Sequence, residues 1–261
     1  VGREGGGWRL LGAAWQGGAG SGGVRRGRGR GRGATVLAAA LLVSVDVQAQ
    51  FFGESVTTRG AIEGNVFATA GEVDLDAEVS GDTVAFGGEI SIRNAIAGDV
   101  LAGGGEVIVE GTVKGDVRVL GGEIVVRAGI GGDIMAAGAN VHFVEDATVG
   151  GAAWFAGAKV EIDGTVAGGL HAAGRKINIT GTIAGDVQLA GEQIVVGPTA
   201  RIGGDLTYRS LGEADIHPDA RIGGDVTYIR SEAAHNMMDG AFSGAAGFGL
   251  VFWAGLILLG A

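Results

Sequence analysis

Aspartate residues recur along the chain at a spacing of 17 residues over much of its length. The recurring position follows a glycine each time and holds Asn65, Asp82, Asp99, Asp116, Asp133, Asp186, Asp205 and Asp225, with interruptions at Ala152 and Gly169. If the residues stack about 5 Å apart, their charges repel unless a cation, a proton or hydrogen bonds offset the repulsion. A calcium ladder is one interpretation. We favour the other, a turn-forming aspartate whose carboxylate accepts hydrogen bonds from backbone N–H groups, and expect no metal or cofactor.

A second column of charged residues changes sign along the chain. With the same spacing it reads Glu72, Glu89, Glu106, Glu123, Asn140, Lys159, Lys176 and Gln193. A solvated edge of the molecule is the interpretation we favour. The alternative is that the change of sign favours head-to-tail over head-to-head contacts between copies of the chain.

The pattern of acids and histidines does not predict an active site. Carbohydrate-cleaving β-helix enzymes need acidic or basic groups clustered on one outer face. His142 and His171 are expected on different faces, and the acidic pairs Asp74 with Asp76 and Glu161 with Asp163 about five repeats apart. The chain has no cysteine, which excludes disulfides, thiol catalysis and cysteine-ligated metals. None of its G-x-G patterns opens a helix, so nucleotide binding is not supported.

The charge balance argues against a nucleic-acid partner. From Gln50 onward the chain carries 12 of its 19 Lys and Arg residues and 27 of its 29 Asp and Glu residues. Binding to phosphates requires a basic surface, so we predict no nucleic acid as a partner.

These columns exist because the chain is built from repeats. Of its 261 residues 55 are glycine and only 2 are proline, which excludes collagen. The repeats are 63–79, 80–96, 97–113, 114–130, 131–149, 150–166, 167–183 and 184–202, followed by a looser unit 203–222 and a partial one. Within each unit positions 4, 6, 11, 13 and 17 are mostly apolar, and this period of 2 indicates strands. In the third unit the inward residues would be Val100, Ala102, Val107, Val109 and Val113.

Stacked units of this kind predict an all-β fold, a parallel β-helix or solenoid. Glycine at positions 2 and 8 suits tight corners. About ten coils of 17 residues, at ~4.8 Å each, give a rod about 48 Å long. At 83–86 the larger residues Val84 and Phe86 fall on outward positions, and a shift of one residue would turn them inward. We keep the common register because the preceding Gly-Asp pair is aligned.

The outward positions of the first strand are unusually apolar. Positions 5 and 7 hold Phe67, Val84, Phe86, Leu101, Leu120, Met135 and Trp154. The outward positions of the second strand are mostly polar. A continuous apolar stripe on a soluble rod predicts an interaction face, and we expect these seven residues to contact another rod, another part of the chain or a membrane surface. Cover by terminal residues of the same chain is the alternative.

The repeat resembles the bactofilins, a family of polymer-forming bacterial cytoskeletal proteins. The resemblance is carried by GTVKGDV at 111–117, GTVAGGL at 164–170, GTIAGDV at 181–187 and GPTARIGGDL at 197–206, and it covers 63 to about 228. It implies a right-handed β-helix that polymerises end to end without nucleotide into scaffolding filaments at the membrane. No catalytic residue comes with the family.

The two ends of the chain predict export and membrane anchoring. Residues 1–33 are rich in arginine and glycine and suit the basic region of an export signal, and an RNA-binding segment is the alternative. The apolar stretch 34–45 and the small residues Val47 and Ala49 predict a signal peptide over 34–49, cleaved before Gln50. Residues 50–62 are assigned as a linker, 63–230 as the solenoid and 231–240 as a second linker. The uncharged segment 241–261 is long enough to span a bilayer, and a buried helix is the alternative.

We therefore expect a non-enzymatic, self-assembling scaffold of the bacterial cell envelope, on the extracytoplasmic or periplasmic side. Its partners would be other copies of the chain, the membrane through 241–261, and an envelope protein or glycan. An extracytoplasmic binding module or adhesin is the first alternative, and a carbohydrate-active enzyme is the second.

Overall fold

The alternating apolar residues form strands that stack in parallel. The computed structural model describes residues 47–231, which form an all-β parallel solenoid of about 11 turns. The strands are β1 (Val47–Ile62), β2 (Asn65–Val79), β3 (Thr83–Ile92), β4 (Val100–Val109), β5 (Val117–Val126), β6 (Gly129–Ile130), β7 (Ile134–Phe143), β8 (Thr148–Val149), β9 (Ala153–Ile162), β10 (Thr165–Val166), β11 (Leu170–Ile179), β12 (Thr182–Ile183), β13 (Val187–Val196), β14 (Arg201–Ile202), β15 (Leu206–Ser210), β16 (Asp215–Ile216), β17 (Arg221–Ile222) and β18 (Val226–Arg230).

The strands form two sheets, a long one along the whole described rod and a shorter one from β6 to β17. Eleven strands pair in the order β1-β2-β3-β4-β5-β7-β9-β11-β13-β15-β18, and we number the turns of the solenoid coil 1 to coil 11 in that order. β16 also pairs with β13. The short strands form the second sheet, in the order β17-β14-β12-β10-β8-β6. All pairs are parallel, so equivalent residues of successive coils lie directly above one another.

The core consists of the inward columns that the sequence predicts. Val100 and Ala102 are 1% exposed, and Val107, Val109 and Val113 are fully buried. Val109 is paired with Val126 in the next coil, so the column continues along the rod. Burying a valine or isoleucine side chain contributes about 1.5–3 kcal/mol relative to exposure. Since a coil can bury its inward side chains only against its neighbours, the stack as a whole stabilises each coil.

The common register at 83–86 is confirmed. Thr83 and Ala85 are fully buried in the inward columns. Val84 and Phe86 point outward and are half-buried. The register is maintained by pairing on both sides, with Val84 opposite Phe67 of coil 2 and Leu101 of coil 4.

Glycine recurs at the corner inside the long strands from β3 to β13, where the coils approach closely. A Cβ atom on Gly104 would lie 2.8 Å from the carbonyl oxygen of Gly87 in the coil below. A larger residue at Gly104 would therefore push these two coils apart. The next position is less restricted, because Ala139 stands where coils 4 and 5 have Gly105 and Gly122.

The solenoid begins earlier than the sequence analysis expects, and the linker assigned to 50–62 is wrong. These residues belong to β1, which pairs with β2 along its length, for example Phe51 with Ala68 and Val56 with Val73. Val56 is 7% exposed and is part of the core. The rod therefore has one coil more than the ten expected.

The expected segments at the two ends fall largely outside the described residues. These are the arginine-rich stretch 1–33, most of the signal peptide 34–49, the second linker beyond residue 231 and the membrane segment 241–261. Val47 to Ala49 of the expected signal peptide begin β1. Within 47–231, the structure contains no helix long and apolar enough to cross a bilayer.

Candidate interaction face

The seven apolar residues of the predicted face lie on one side of the rod, and we call this side the apolar face. It is the outer surface of the first half of each long strand and is formed by two columns. The first column runs Gln50, Phe67, Val84, Leu101, Arg118, Met135, Trp154, His171, Gln188, Thr207 and Thr227. The second runs Phe52, Thr69, Phe86, Gly103, Leu120, Ala137, Ala156, Ala173, Ala190, Arg209 and Ile229.

In coils 1 to 5 the large side chains alternate between the two columns. The ring centroid of Phe67 lies 5.8 Å from that of Phe52 and 6.5 Å from that of Phe86. The Phe86 ring covers Gly103, where a Cβ atom would lie 3.0 Å from the ring. Leu101 and Leu120 continue the line and are 40% and 53% exposed. Each coil thus presents large apolar surface to solvent, and the stripe is continuous.

Sequence reasoning missed two members of this face. Phe52 is 66% exposed at the end of the stripe and lies in the segment 50–62, which the sequence analysis assigns to a linker. Arg118 interrupts the first column in coil 5 and pairs with Asp116 at 2.9 Å. The alternation of residues in β1, with Phe51 inward and Phe52 outward, is the signal that would have identified Phe52.

The face changes character beyond coil 5. Met135 and Trp154 are half-buried, whereas Ala137, Ala156, Ala173 and Ala190 of the second column are at most 5% exposed. The rings of Trp154 and His171 stack with centroids 5.7 Å apart and planes 5° from parallel. Burial lowers the pKa of His171. Exposed apolar surface from the predicted set is therefore concentrated in the half of the rod that contains coils 1 to 5.

The aspartate column caps backbone groups, as the favoured interpretation predicts. Oδ1 of Asp99 accepts a hydrogen bond of 2.8 Å from the N–H of Asp116, one coil further on. The same contact recurs from coil to coil with lengths of 2.7 to 2.9 Å. Among the described residues, no cluster of three or more histidine and acidic side chains could hold a metal ion.

The second charged column lies at the corner that borders the apolar face, and we call it the charged edge. Its residues Glu72, Glu89, Glu106, Glu123, Asn140, Lys159, Lys176 and Gln193 are stacked in register and all exposed. Lys159 pairs with Glu161 at 2.8 Å. None of the four glutamates has a lysine, arginine or histidine partner among residues 47–231. The acidic and basic halves of the edge therefore offer charges to a partner.

One histidine does meet an acid on the second, more polar face, which sequence reasoning missed. Nε2 of His142 lies 2.9 Å from Oδ2 of Asp163, and Thr180 Oγ1 donates to Oδ1 of the same carboxylate at 2.5 Å. Nucleophilic catalysis requires the hydroxyl to contact the base, which the acid in turn orients. Here both His142 and Thr180 bind Asp163, so the hydroxyl does not contact the imidazole and the three groups are not arranged as a triad.

The described part of the molecule combines an apolar stripe, an edge of opposite charges and a stack of coils. Searches against protein families, curated proteins and solved structures find no match to this chain.

Proposed function

We propose that the protein is a non-enzymatic, polymer-forming structural protein that acts as a scaffold at the bacterial cell envelope. One observation carries the proposal: within the described residues, the stack of coils ends without a closing element. β1 pairs only with β2, and β18 pairs only with β15. A strand at the end of a parallel stack presents unpaired N–H and C=O groups, which favour addition of a further strand.

The apolar core is also open at the C-terminal end of the described stack. Val226 continues the inward column of Val187 and Leu206, which are both fully buried. Val226 itself is 48% exposed, because no described coil covers it. An equivalent coil from another copy would bury this side chain and pair with the edge of β18, as successive coils do within the rod. The bactofilin resemblance of the repeat supports the same conclusion.

The location in the envelope rests on the sequence of the two ends. The order of basic, apolar and small residues before Gln50 supports export, and the uncharged segment 241–261 supports anchoring. A fusion of residues 24–60 to a reporter that is active only outside the cytoplasm should give signal. Activity of a reporter that works only in the cytoplasm would contradict export.

Electron microscopy of the purified full-length chain tests polymer formation. We expect filaments in which the coils of successive copies continue one another. Val226→Lys places a charge in the end-to-end contact and should abolish filaments, whereas Thr227→Lys, on the outward side of the same strand, should retain them. Circular dichroism should show both variants folded, because neither residue lies deep in the core. Monodisperse rods of the unaltered chain would overturn the proposal.

A binding module or adhesin is the second candidate, and the exposure of Leu101 and Leu120 favours it. On this hypothesis the apolar face binds an envelope protein or a glycan. The double variant Leu101→Asp with Trp154→Asp should leave the solenoid folded, with unchanged β circular dichroism. If the protein is a binding module, this double variant should no longer recruit the partner. If the protein instead forms filaments through its ends alone, the double variant should still form them.

A further inference from the structure

We propose that the exposed apolar patch of coils 1 to 5 binds a basic amphipathic helix of a partner protein. By the apolar patch we mean the large apolar side chains that both columns of the apolar face carry in these coils, Phe52, Phe67, Val84, Phe86, Leu101 and Leu120. The inference goes beyond the proposed function, because it gives the rod a lateral docking site whether or not its ends polymerise. The occupant is identified by charge complementarity and by the dimensions of the patch.

The apolar patch is accessible and has a definite end. Phe52 is 66% exposed, Leu101 40% and Leu120 53%, and the other three members are half-buried. In coils 6 to 9 the second column is closed, because its alanines are at most 5% exposed. Five strand residues at ~3.3 Å each, over five coils at ~4.8 Å each, give the patch an area of about 400 Å². An exposed apolar area of this size often marks a site of interaction on a soluble protein.

Both edges of the apolar patch are acidic. On one side lies the acidic half of the charged edge, from Glu72 to Glu123, whose four exposed glutamates have no cationic partner among the described residues. On the other side lies the aspartate column. Arg118, a member of the face, shows how close this column is, since its guanidinium lies 2.9 Å from Asp116 and 3.7 Å from Asp99. A complementary partner therefore has an apolar stripe between two rows of cations.

A second copy of the chain is a poor occupant of this site. If two rods lay parallel, related by an axis along them, the glutamates of one copy would face the aspartates of the other. If they lay antiparallel about coil 3, Glu72 of one copy would face Glu106 of the other, and Glu89 would face its equivalent. Both arrangements bring carboxylates together, and these repel each other. The same glutamates repel a bilayer surface that carries anionic lipids.

The spacing of the large side chains fits a helix that lies along the rod. From Phe52 to Leu120 each coil contributes a large apolar residue to one column or the other, at steps of ~4.8 Å. An amphipathic helix presents apolar residues once per turn, at steps of about 5.4 Å. The patch runs about 19 Å from coil 1 to coil 5, which is the length of about 13 helical residues. Lysine and arginine on the flanks of such a helix have long stems that can reach the carboxylates beside the patch.

Binding of a model peptide to the purified full-length chain tests the inference. The probe is a fluorescent peptide of about 14 residues with leucine at helical spacing and lysine at the other positions. We expect saturable binding by fluorescence anisotropy, weakened by added salt. A peptide of the same composition in scrambled order should bind at least about tenfold more weakly, and so should one with glutamate in place of each lysine. Equal binding of the scrambled peptide would overturn the inference, because charge alone would then explain the binding.

Removal of apolar surface locates the site. Leu101→Ser with Leu120→Ser should weaken binding of the lysine peptide at least about tenfold. Ile108→Ser with Val125→Ser is the matched control, because it changes half-buried apolar residues of the same two coils on the second face. This control should keep the affinity within about twofold, and circular dichroism should show both double variants folded. Equal affinities of the two variants would mean that the peptide does not bind the apolar patch.

Neutral variants test the contribution of the acidic edge. Glu106→Gln with Glu123→Gln should weaken binding of the lysine peptide at least about fivefold. Glu145→Gln with Asp146→Asn removes the same number of charges at an exposed turn away from the face and should have little effect. Since both variants have the same net charge, a difference between them reports contact with the edge. Equal affinities would contradict the proposed flank of cations.

Other occupants and the proposed function give distinguishable results. The inference is wrong if the peptide does not bind and Leu101→Ser with Leu120→Ser instead abolishes lateral pairing of the chain or its binding to phosphatidylglycerol vesicles. Filaments in electron micrographs without peptide binding would overturn this inference and leave the scaffold proposal standing. Peptide binding without filaments would support the docking site and overturn polymer formation through the ends.

Discussion

Oδ1 of Asp99 accepts a hydrogen bond from the backbone N–H of Asp116 in the next coil, at a donor–acceptor distance of 2.8 Å. The carboxylate fits there because residue 115 is glycine. A Cβ atom on Gly115 would collide with this same Oδ1. An aspartate in one coil and a glycine in the next therefore act as a unit, and the contact satisfies a backbone donor at a corner of the rod.

Replacing this acceptor should destabilise the solenoid. Asp99→Ala removes the acceptor of the Asp116 N–H and should cost about 0.5–1.5 kcal/mol in the free energy of unfolding, because the contact is exposed and water can take its place. Asp99→Asn should cost less, because Asn65 already makes the same contact with the N–H of Asp82 at 2.7 Å. Chemical denaturation followed by circular dichroism measures both variants. Equal losses would indicate that the charge of Asp99, rather than its acceptor oxygen, matters.

Calcium should not affect the stability of the rod. Because the aspartate carboxylates are used by backbone donors, the melting temperature should be the same in excess calcium and in excess chelator. A calcium-dependent rise in melting temperature would support the ladder of bound ions instead.

A charge in the core should distinguish inward from outward positions. Val109→Asp buries an unpaired carboxylate among fully buried neighbours and should cost several kcal/mol, or prevent folding. Glu110→Lys, on the adjacent outward position, loses an exposed ion pair of 3.0 Å with Arg127 and should cost at most about 1 kcal/mol. Similar losses at the two positions would mean that the register of β4 is wrong.

One buried hydroxyl offers a route to a more stable protein. Oγ1 of Thr83 is buried in an inward column and has no hydrogen-bond partner among the described residues. Thr83→Val replaces this group by a methyl of similar size, as in Val66 and Val100 of the same column, and should stabilise by about 1 kcal/mol. Thr165→Val, at an exposed site, is the control and should change stability little. If Thr83→Val lowers the stability, the Thr83 hydroxyl must have a hydrogen-bond partner after all.

His171 should make stability depend on pH. Burial lowers its pKa in the folded protein below the usual 6.5, so the unfolded chain binds the proton more readily. Stability is then greatest above pH 6.5 and falls as the pH drops below that value. Melting temperatures between pH 7.5 and 5.5, above the usual range for carboxylates, should fall less in His171→Gln than in the unaltered chain. If the melting temperature falls equally with pH in both proteins, His171 is not the cause of the pH dependence.

The core could be read from sequence because two periods reinforce each other. Alternation within a strand assigns Val100 and Ala102 to the interior, and the repeat of 17 places Val117 and Val119 above them. Coil 1 was missed although Ala49, Phe51 and Val56 occupy the inward positions. It lacks the Gly-Asp pair that marks the later coils, since Val47 pairs with Asn65 at the aspartate position and the register shifts between Val47 and Ala49. The Gly-Asp pair links one coil to the next, whereas the alternating inward residues define the coil itself. Only the alternation identifies coil 1.

The sequence predicts which residues of the candidate face point outward, but it does not predict how exposed each one is. Outward positions follow from alternation, which identifies Leu101 and Leu120. Exposure depends on neighbouring side chains, so the burial of Ala173 and the stacking of Trp154 on His171 have no signature in the sequence. The contact between His142 and Asp163 runs diagonally between coils, and only coordinates reveal such a contact.

The linkage between aspartate and the following glycine also determines how such a rod can evolve. A single coil cannot be exchanged freely, because its glycine must accommodate the aspartate below and its aspartate must meet a glycine above. Duplication or deletion of a whole repeat preserves both matches and changes the rod by one step of ~4.8 Å. Length is thus the property that such a sequence can vary most easily, because each contact from Asp82 to Asp133 joins an aspartate only to the next coil.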